Sequence, residues 1–224
     1  MTDTPYGFDT LAIHAGARPD PTTGARQTPI YQTTAYVFRD ADHAAALFNL
    51  QEVGYIYSRL TNPTVSVLQE RIATLEGGVG AVCCSSGHAA QIMALFPLMR
   101  PGDNIIASNR LYGGTVQQFS NTIHRFGWSA EFVDIDDLTA LEDLADDHTK
   151  AIFCESIANP GGHVADIPAI AEVAKRLGVP LIVDNTSATP WLCKPLEMGA
   201  DIVVHSTTKY LTGNGTVTGG AVVD

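Results

Sequence analysis

The stretch Asp201-Ile202-Val203-Val204-His205-Ser206-Thr207-Thr208-Lys209-Tyr210 joins a short apolar run to a cluster of hydroxyl residues and a lysine. Ile202-Val203-Val204 reads as a strand with both faces buried, the kind that parallel sheets contain. In an open α/β sheet, ligands sit at the carboxyl ends of the strands, and Lys209 falls at such an end. An amine in a partly desolvated pocket has its pKa lowered and becomes a nucleophile able to hold a carbonyl compound as a Schiff base. An isolated loop lysine would look the same, so the rest of the chain must decide.

Working outward, short apolar runs alternate with helical patterns. Ala81-Val82-Cys83-Cys84, Asn104-Ile105-Ile106-Ala107, Glu131-Phe132-Val133, Ala151-Ile152-Phe153-Cys154, Pro180-Leu181-Ile182-Val183 and Gly219 to Val223 join the Ile202 run as strands. Between them helices are expected from Gly87 through Leu95, from about Gly114 to Arg125, over Leu138 to Leu144, and from Ile167 to Leu177 with Asp166 as cap. Further upstream, Asn62 followed by Pro63 marks a helix start; Val65, Leu68, Ile72 and Leu75 recur at helical spacing until Gly77-Gly78. The pattern predicts an α/β fold, a mostly parallel sheet with helices on both faces. Residues 1–55 are richer in turns. Pro19, Pro21, Gly24 and Pro29 break helices, Tyr31 to Phe38 is a candidate irregular strand, and Asp40 or Asp42 caps a short helix through Leu47. They are expected to form an extended arm packing on another surface, with residues 56–224 as the main domain.

A chain of 224 residues with 45% hydrophobic content, 20 Gly and 12 Pro supports a substantial core. The formal net charge of −11, with scattered basic residues, disfavours a nucleic-acid partner. No apolar run reaches membrane-spanning length, and Met1 to Thr10 has no secretory-signal pattern. Cys83, Cys84, Cys154 and Cys193 form no C-x-x-C pair, and the seven His lack ligand spacing. Free thiols in a reducing cytoplasm, and no metal site, are therefore expected.

Polar residues follow several of these strands. Ser85-Ser86-Gly87-His88 opens a helix, whose free amides and positive dipole end suit a phosphate. Tyr112-Gly113-Gly114 puts an aromatic ring beside a flexible pair, able to stack on a planar ligand. Asp184 ends a run so apolar that its carboxylate calls for a cation. Taken singly, these are a tight turn, a stray aromatic and a turn cap. With Ser206, Thr208 and Lys209 they form the set that pyridoxal 5′-phosphate needs: Schiff-base lysine, acid for the pyridinium nitrogen, and anchored phosphate.

The sequence resembles the Cys/Met-metabolism family of pyridoxal-phosphate enzymes. The resemblance lies in Tyr57-Ser58-Arg59-Leu60-Thr61-Asn62-Pro63-Thr64, Ser85-Ser86-Gly87, Leu111-Tyr112-Gly113-Gly114-Thr115, Glu155-Ser156-Ile157-Ala158-Asn159-Pro160, Val183-Asp184-Asn185-Thr186 and His205 to Tyr210, collinear over nearly the whole chain. It implies the aspartate-aminotransferase-type (fold type I) large domain. It also implies Lys209 as the Schiff-base lysine and proton shuttle, Asp184 as partner of the pyridinium nitrogen, and Tyr112 as the stacking ring that assists acid–base steps. Gly87 and His88 amides with Ser206 and Thr208 hydroxyls would hold the phosphate, and Asn159 would lie near the cofactor's 3′-oxygen. His88 stands where Met or Leu is common in the family, but only its backbone is needed. Tyr57 and Arg59 would reach the phosphate in a neighbouring subunit, making shared sites in a homo-oligomer, a dimer of dimers.

Within the family, Phe8-Asp9-Thr10-Leu11-Ala12-Ile13-His14-Ala15-Gly16, Ser86-Gly87-His88-Ala89-Ala90-Gln91 and Gly213-Asn214-Gly215-Thr216 look most like the O-acetylhomoserine sulfhydrylase branch. The implied reaction is γ-replacement on that amino acid by sulfide or a thiol, giving homocysteine or methionine and acetate. Methionine γ-lyases and cystathionine γ-synthases share the same catalytic residues. Family members are roughly twice as long and carry a C-terminal domain with the arginine that binds the substrate carboxylate. That domain is expected to be absent from this sequence.

Overall fold

The computed structural model describes residues 6–224, so the first five residues of the expected arm lie outside the described residues. Packing divides the chain into two compact units, one ending at Arg71 and the other running from Ile72 to Asp224, whereas the composition changes near residue 55. The first unit holds α1 (Phe8–His14), α2 (Ala41–Phe48) and most of α3 (Pro63–Glu76). The turn-rich composition did not announce α1, a seven-residue stretch free of Gly and Pro. Asp40, not Asp42, caps α2, accepting the His43 amide at 2.8 Å. The run from Tyr31 to Phe38 forms no strand; its pairing is one antiparallel bridge between Ala35 and Tyr57. At the start of α3, Asn62 Oδ1 accepts the Thr64 amide at 2.9 Å, and its Nδ2 donates to the Tyr31 carbonyl at 2.9 Å.

The second unit is built on seven strands: β1 (Ala81–Cys84), β2 (Asn104–Ser108), β3 (Ser129–Val133), β4 (Thr149–Glu155), β5 (Leu181–Asp184), β6 (Ile202–His205) and β7 (Gly220–Val223). Their order in the sheet is β1-β7-β6-β5-β4-β2-β3. β3, β2, β4, β5 and β6 are parallel, while β7 runs antiparallel to both β6 and β1. Two reversals restore the direction, so β1 points the same way as the parallel set. Gly220 opens β7 where a Cβ would come within 2.1 Å of the Ser86 carbonyl oxygen, so this close approach requires glycine.

Alternation along the central strands sends residues to two cores. Ile105, Ala107, Ala151, Phe153 and Ile182 pack with Ala90, Ala94 and Leu95 of α4 (Gly87–Leu95) and with Phe119 and Ile123. Phe119 and Phe153 meet edge to face with centroids 4.9 Å apart. Phe119 belongs to a helical stretch that begins as α5 (Gly113–Gln117) and continues as wide and then tight turns to Phe126. On the opposite face Ile106, Ile152, Cys154, Leu181 and Val183 pack with Leu141 of α6 (Leu138–Leu144) and with Ile167, Ile170 and Val173 of α7 (Ile167–Leu177). Asp166 caps α7 by accepting the Ala169 amide at 3.2 Å. The two-residue period places Glu155 and Asp184 on the α4 face of the sheet, in line with Phe153 and Ile182.

A third, smaller cluster includes Ile72, Ala73, Val203 and Val223. Beside it lies a fully buried acid–base pair, Glu76 at the end of α3 and His205 at the end of β6, joined through Oε1 and Nε2. Asn185 donates its Nδ2 to the same Glu76 oxygen at 2.9 Å, and Ser156 donates to Asn185 Oδ1 at 2.8 Å. This chain of polar contacts ties together the ends of β4, β5 and β6. Removing one partner of such a group would leave a buried polar atom unsatisfied.

Candidate active site

Because β1 and the parallel strands share one direction, the residues following β1, β2, β4, β5 and β6 emerge at one edge of the sheet. At β1, Ser86 caps α4, its hydroxyl accepting the Ala89 amide at 3.1 Å. The amides of Gly87 and His88 therefore face outward from the first turn, as helix geometry dictates. A Cβ on Gly87 would sit 2.7 Å from the Ser206 Cβ, so the end of β6 lies directly against this helix start. The Ser206 hydroxyl has no hydrogen-bond partner among the described residues, while its amide donates to Thr186 Oγ1 at 2.8 Å. Two outward amides and a free hydroxyl around a close-packed glycine make a cradle for an anion.

Asp184 is buried, 8% exposed. Its Oδ1 accepts the Thr186 amide at 3.0 Å, and its Oδ2 accepts Gln91 Nε2 at 3.3 Å. Among the described residues no cation pairs with it. Gln91, from α4, also donates to Thr115 Oγ1 at 2.9 Å and accepts from Gln118 Nε2 at 2.9 Å, which fixes the amide against the carboxylate. An acid held so firmly without a positive partner suits a cationic ring nitrogen.

Tyr112 follows β2 and is 49% exposed. Its ring stacks on the His88 ring with centroids 6.1 Å apart and planes at 26°, and a Cβ on Gly114 would collide with both. The Tyr112 amide donates to Glu155 Oε1 at 2.6 Å, and the Asn159 amide donates to Glu155 Oε2 at 2.9 Å. Burial pushes the Glu155 carboxyl up to about 7; these two amides pull it down, and the Asp184 charge pushes it up again.

Lys209 lies in the turn after β6 and is exposed. The turn itself is fixed: the Lys209 amide donates to the Ser206 carbonyl at 3.3 Å, and the Lys209 carbonyl accepts the Gly213 amide at 2.9 Å. Thr208 uses its hydroxyl on Gly219, donating to the carbonyl at 3.2 Å and accepting the amide at 3.0 Å. To donate to an anion it would have to release that carbonyl.

Of the residues singled out from the sequence, the second unit thus gathers Gly87, His88, Tyr112, Asn159, Asp184, Ser206, Thr208 and Lys209 at one edge. Tyr57 and Arg59 belong to the first unit and form a pair of their own, with the guanidinium 5.7 Å from the ring centroid. Sequence reasoning passed over Gln91 and Glu155. Glu155 carried a readable signal, since a carboxylate ending Ala151-Ile152-Phe153-Cys154 is as costly as one ending the Asp184 run. Gln91 carried none, because its role depends on a helix face meeting a strand end.

The donor set fits pyridoxal phosphate: a primary amine, an unpaired buried carboxylate and an anion cradle share one crevice. Comparison with known proteins agrees. The family model described as "Cys/Met metabolism PLP-dependent enzyme" matches residues 9–224. An O-acetyl-L-homoserine sulfhydrylase from Leptospira meyeri is 49% identical over 216 residues, covering 96% of this chain and 49% of that protein. One of the same name from Corynebacterium glutamicum is 53% identical over 220 residues, covering 98% and 50%. A solved structure from Campylobacter jejuni, which contains N′-pyridoxyl-lysine-5′-monophosphate, superposes with a TM-score of 0.94 at 48% identity, covering 98% of this chain and 54% of that one. The chain therefore spans about half the length of the curated relatives it matches.

Proposed function

Since the chain belongs to the Cys/Met metabolism PLP-dependent enzymes, we propose that it serves γ-replacement on O-acetylhomoserine, with sulfide or a thiol as the incoming group and acetate as the leaving group. Pyridoxal phosphate, when bound, supplies an electron sink for bonds at the substrate's α- and β-carbons. The observation that carries the reading is Asp184, a buried carboxylate without a cation partner at the same sheet edge as Lys209. Asp184 would keep a proton on the ring nitrogen. Lys209 would hold the cofactor through Nζ and, once the substrate amine has displaced it, would move the protons at Cα and Cβ. Tyr112 would stack on the ring, while the Gly87 and His88 amides and the Ser206 hydroxyl would bind phosphate. The choice of sulfhydrylase over lyase is supported by the names of relatives near 50% identity.

Protein loaded with pyridoxal phosphate and given O-acetylhomoserine with sulfide should yield homocysteine and acetate in equal amounts. Release of 2-oxobutyrate from methionine, with no homocysteine formed, would replace this reading by a γ-lyase.

The same proposal places Tyr57 and Arg59 at the phosphate of a second subunit. Arg59→Ala and Lys209→Ala proteins, each inactive alone, should regain part of the activity when mixed, because mixed dimers contain one site intact at both positions. No recovery in dimers shown to be mixed would remove the shared site. A cytoplasmic setting is part of the proposal. It is supported by the four cysteines, all of them free thiols.

A further inference from the structure

Glu155 has no place in the chemistry above, yet it is 7% exposed and ends its strand at the same sheet edge as Asp184. It ends β4, the strand between β5 and β2, in direct register with Asp184 on β5. Its two oxygens are divided between two loops. Oε1 takes the amide of Tyr112, which follows β2, and Oε2 takes the amide of Asn159, which follows β4 itself. We infer that Glu155 is a positioning residue whose ionised carboxylate holds these two loops together, setting the Tyr112 ring and the Asn159 side chain toward the crevice. This rests on the reading of the crevice as a cofactor site only for what the two loops face; the bridge itself belongs to the chain alone.

The geometry has a chemical consequence. A carboxylate can accept both amides at once, whereas a protonated carboxyl has one oxygen occupied by hydrogen and a weakened acceptor there. Protonation therefore releases or loosens one loop. The carboxyl titrates near 7, so the bridge responds to mild acid. Asp184 is the charged group that faces it from the neighbouring strand. The Cys154 thiol before it on β4 is pushed up to about 12 by burial and stays neutral throughout.

The sign for stability is opposite to that for loop order. Because the folded pKa lies above the ordinary value of 4.5, ionised Glu155 costs the fold stability. That cost is fully present above about 7 and disappears as the pH falls toward 4.5. Acidification from neutrality thus relieves the fold while it opens the bridge. A purely structural carboxylate, retained for packing, would not separate the two effects.

The test uses the full chain without cofactor, with nitrogen-15 placed in tyrosine and asparagine. The amide protons of Tyr112 and Asn159 should move with a common midpoint near 7, and both shifts should vanish in Glu155→Gln. Glu155→Asp should retain a titration with weaker shifts. Loading wild-type protein with pyridoxal phosphate should lower the midpoint, because a cationic ring nitrogen beside Asp184 neutralises the charge that pushes Glu155 up. Independent midpoints for the two amides, or none between pH 5 and 8, would overturn the positioning role. A common midpoint that loading leaves unmoved would keep the bridge and overturn the pairing of Asp184 with the ring nitrogen instead. The wild-type titration decides the matter even if Glu155→Gln does not fold.

Discussion

Lys209→Ala is expected to abolish covalent attachment of the cofactor and to lower turnover by roughly a thousandfold or more, the scale seen when a covalent nucleophile is removed. Borohydride treatment of the loaded wild type should add the pyridoxyl mass to the peptide containing Lys209 and to no other. The visible absorption of the loaded protein should bleach with it. Folding should be spared. Lys209 is exposed, and the turn is held by backbone bonds to Ser206 and Gly213. A variant that still shows the bleachable band, or a mass addition on another lysine, would end the assignment of Lys209.

Asp184→Ala comes next in size. Contacts that stabilise developing charge are worth about a hundred- to a thousandfold each when removed, and kcat should fall on that scale. The fold should tolerate the change, because Gln91 keeps its bond to Thr115 and a buried carboxylate without a cation is no source of stability. Measured side by side, the thermal midpoint should hold while turnover collapses. Near-normal turnover would show that the ring nitrogen needs no acid here. A collapse of the midpoint alongside turnover would make Asp184 a folding residue and leave its chemistry undecided between the two roles, a case that Asp184→Asn resolves by keeping the side-chain volume and removing the charge.

Much of this arrangement was legible in the sequence, for identifiable reasons. All seven strands of the sheet were read from apolar runs such as Ala151 to Cys154 and Ile202 to Val204, because a strand covered on both faces must be apolar on both. The helix starts at Pro63 and Ile167 were written in local chemistry, where Asn62 and Asp166 stand ready to accept a free amide; Ser86 and Asp137 do the same at Gly87 and Leu138 in the structure. The order of the strands was not legible. Whether β7 pairs at the edge or inserts between β1 and β6 depends on contacts between distant segments, and no local pattern records it. The crevice was readable to the same degree. Asp184 and Lys209 stand at strand ends and declare themselves by cost or by chemistry. The exposure of Lys209 and the double grip of Glu155 arise only when loops from separate strands meet.

The reversed strand β7 has a consequence for assembly. β1 comes first of the seven strands, yet among the described residues its only ladder partner is β7, which follows the other six in sequence. The anion cradle depends on that pairing twice over. Gly220 is packed against Ser86, and Gly219 holds Thr208, so the strand that completes the sheet also draws the start of α4 toward the turn that carries the lysine. α4 packs on the parallel strands through Ala90, Ala94 and Leu95, whereas β1 is joined to the sheet through β7. The anion cradle is thus complete only with β7 in its slot, and a change that unpairs β7 should loosen cofactor binding along with the sheet.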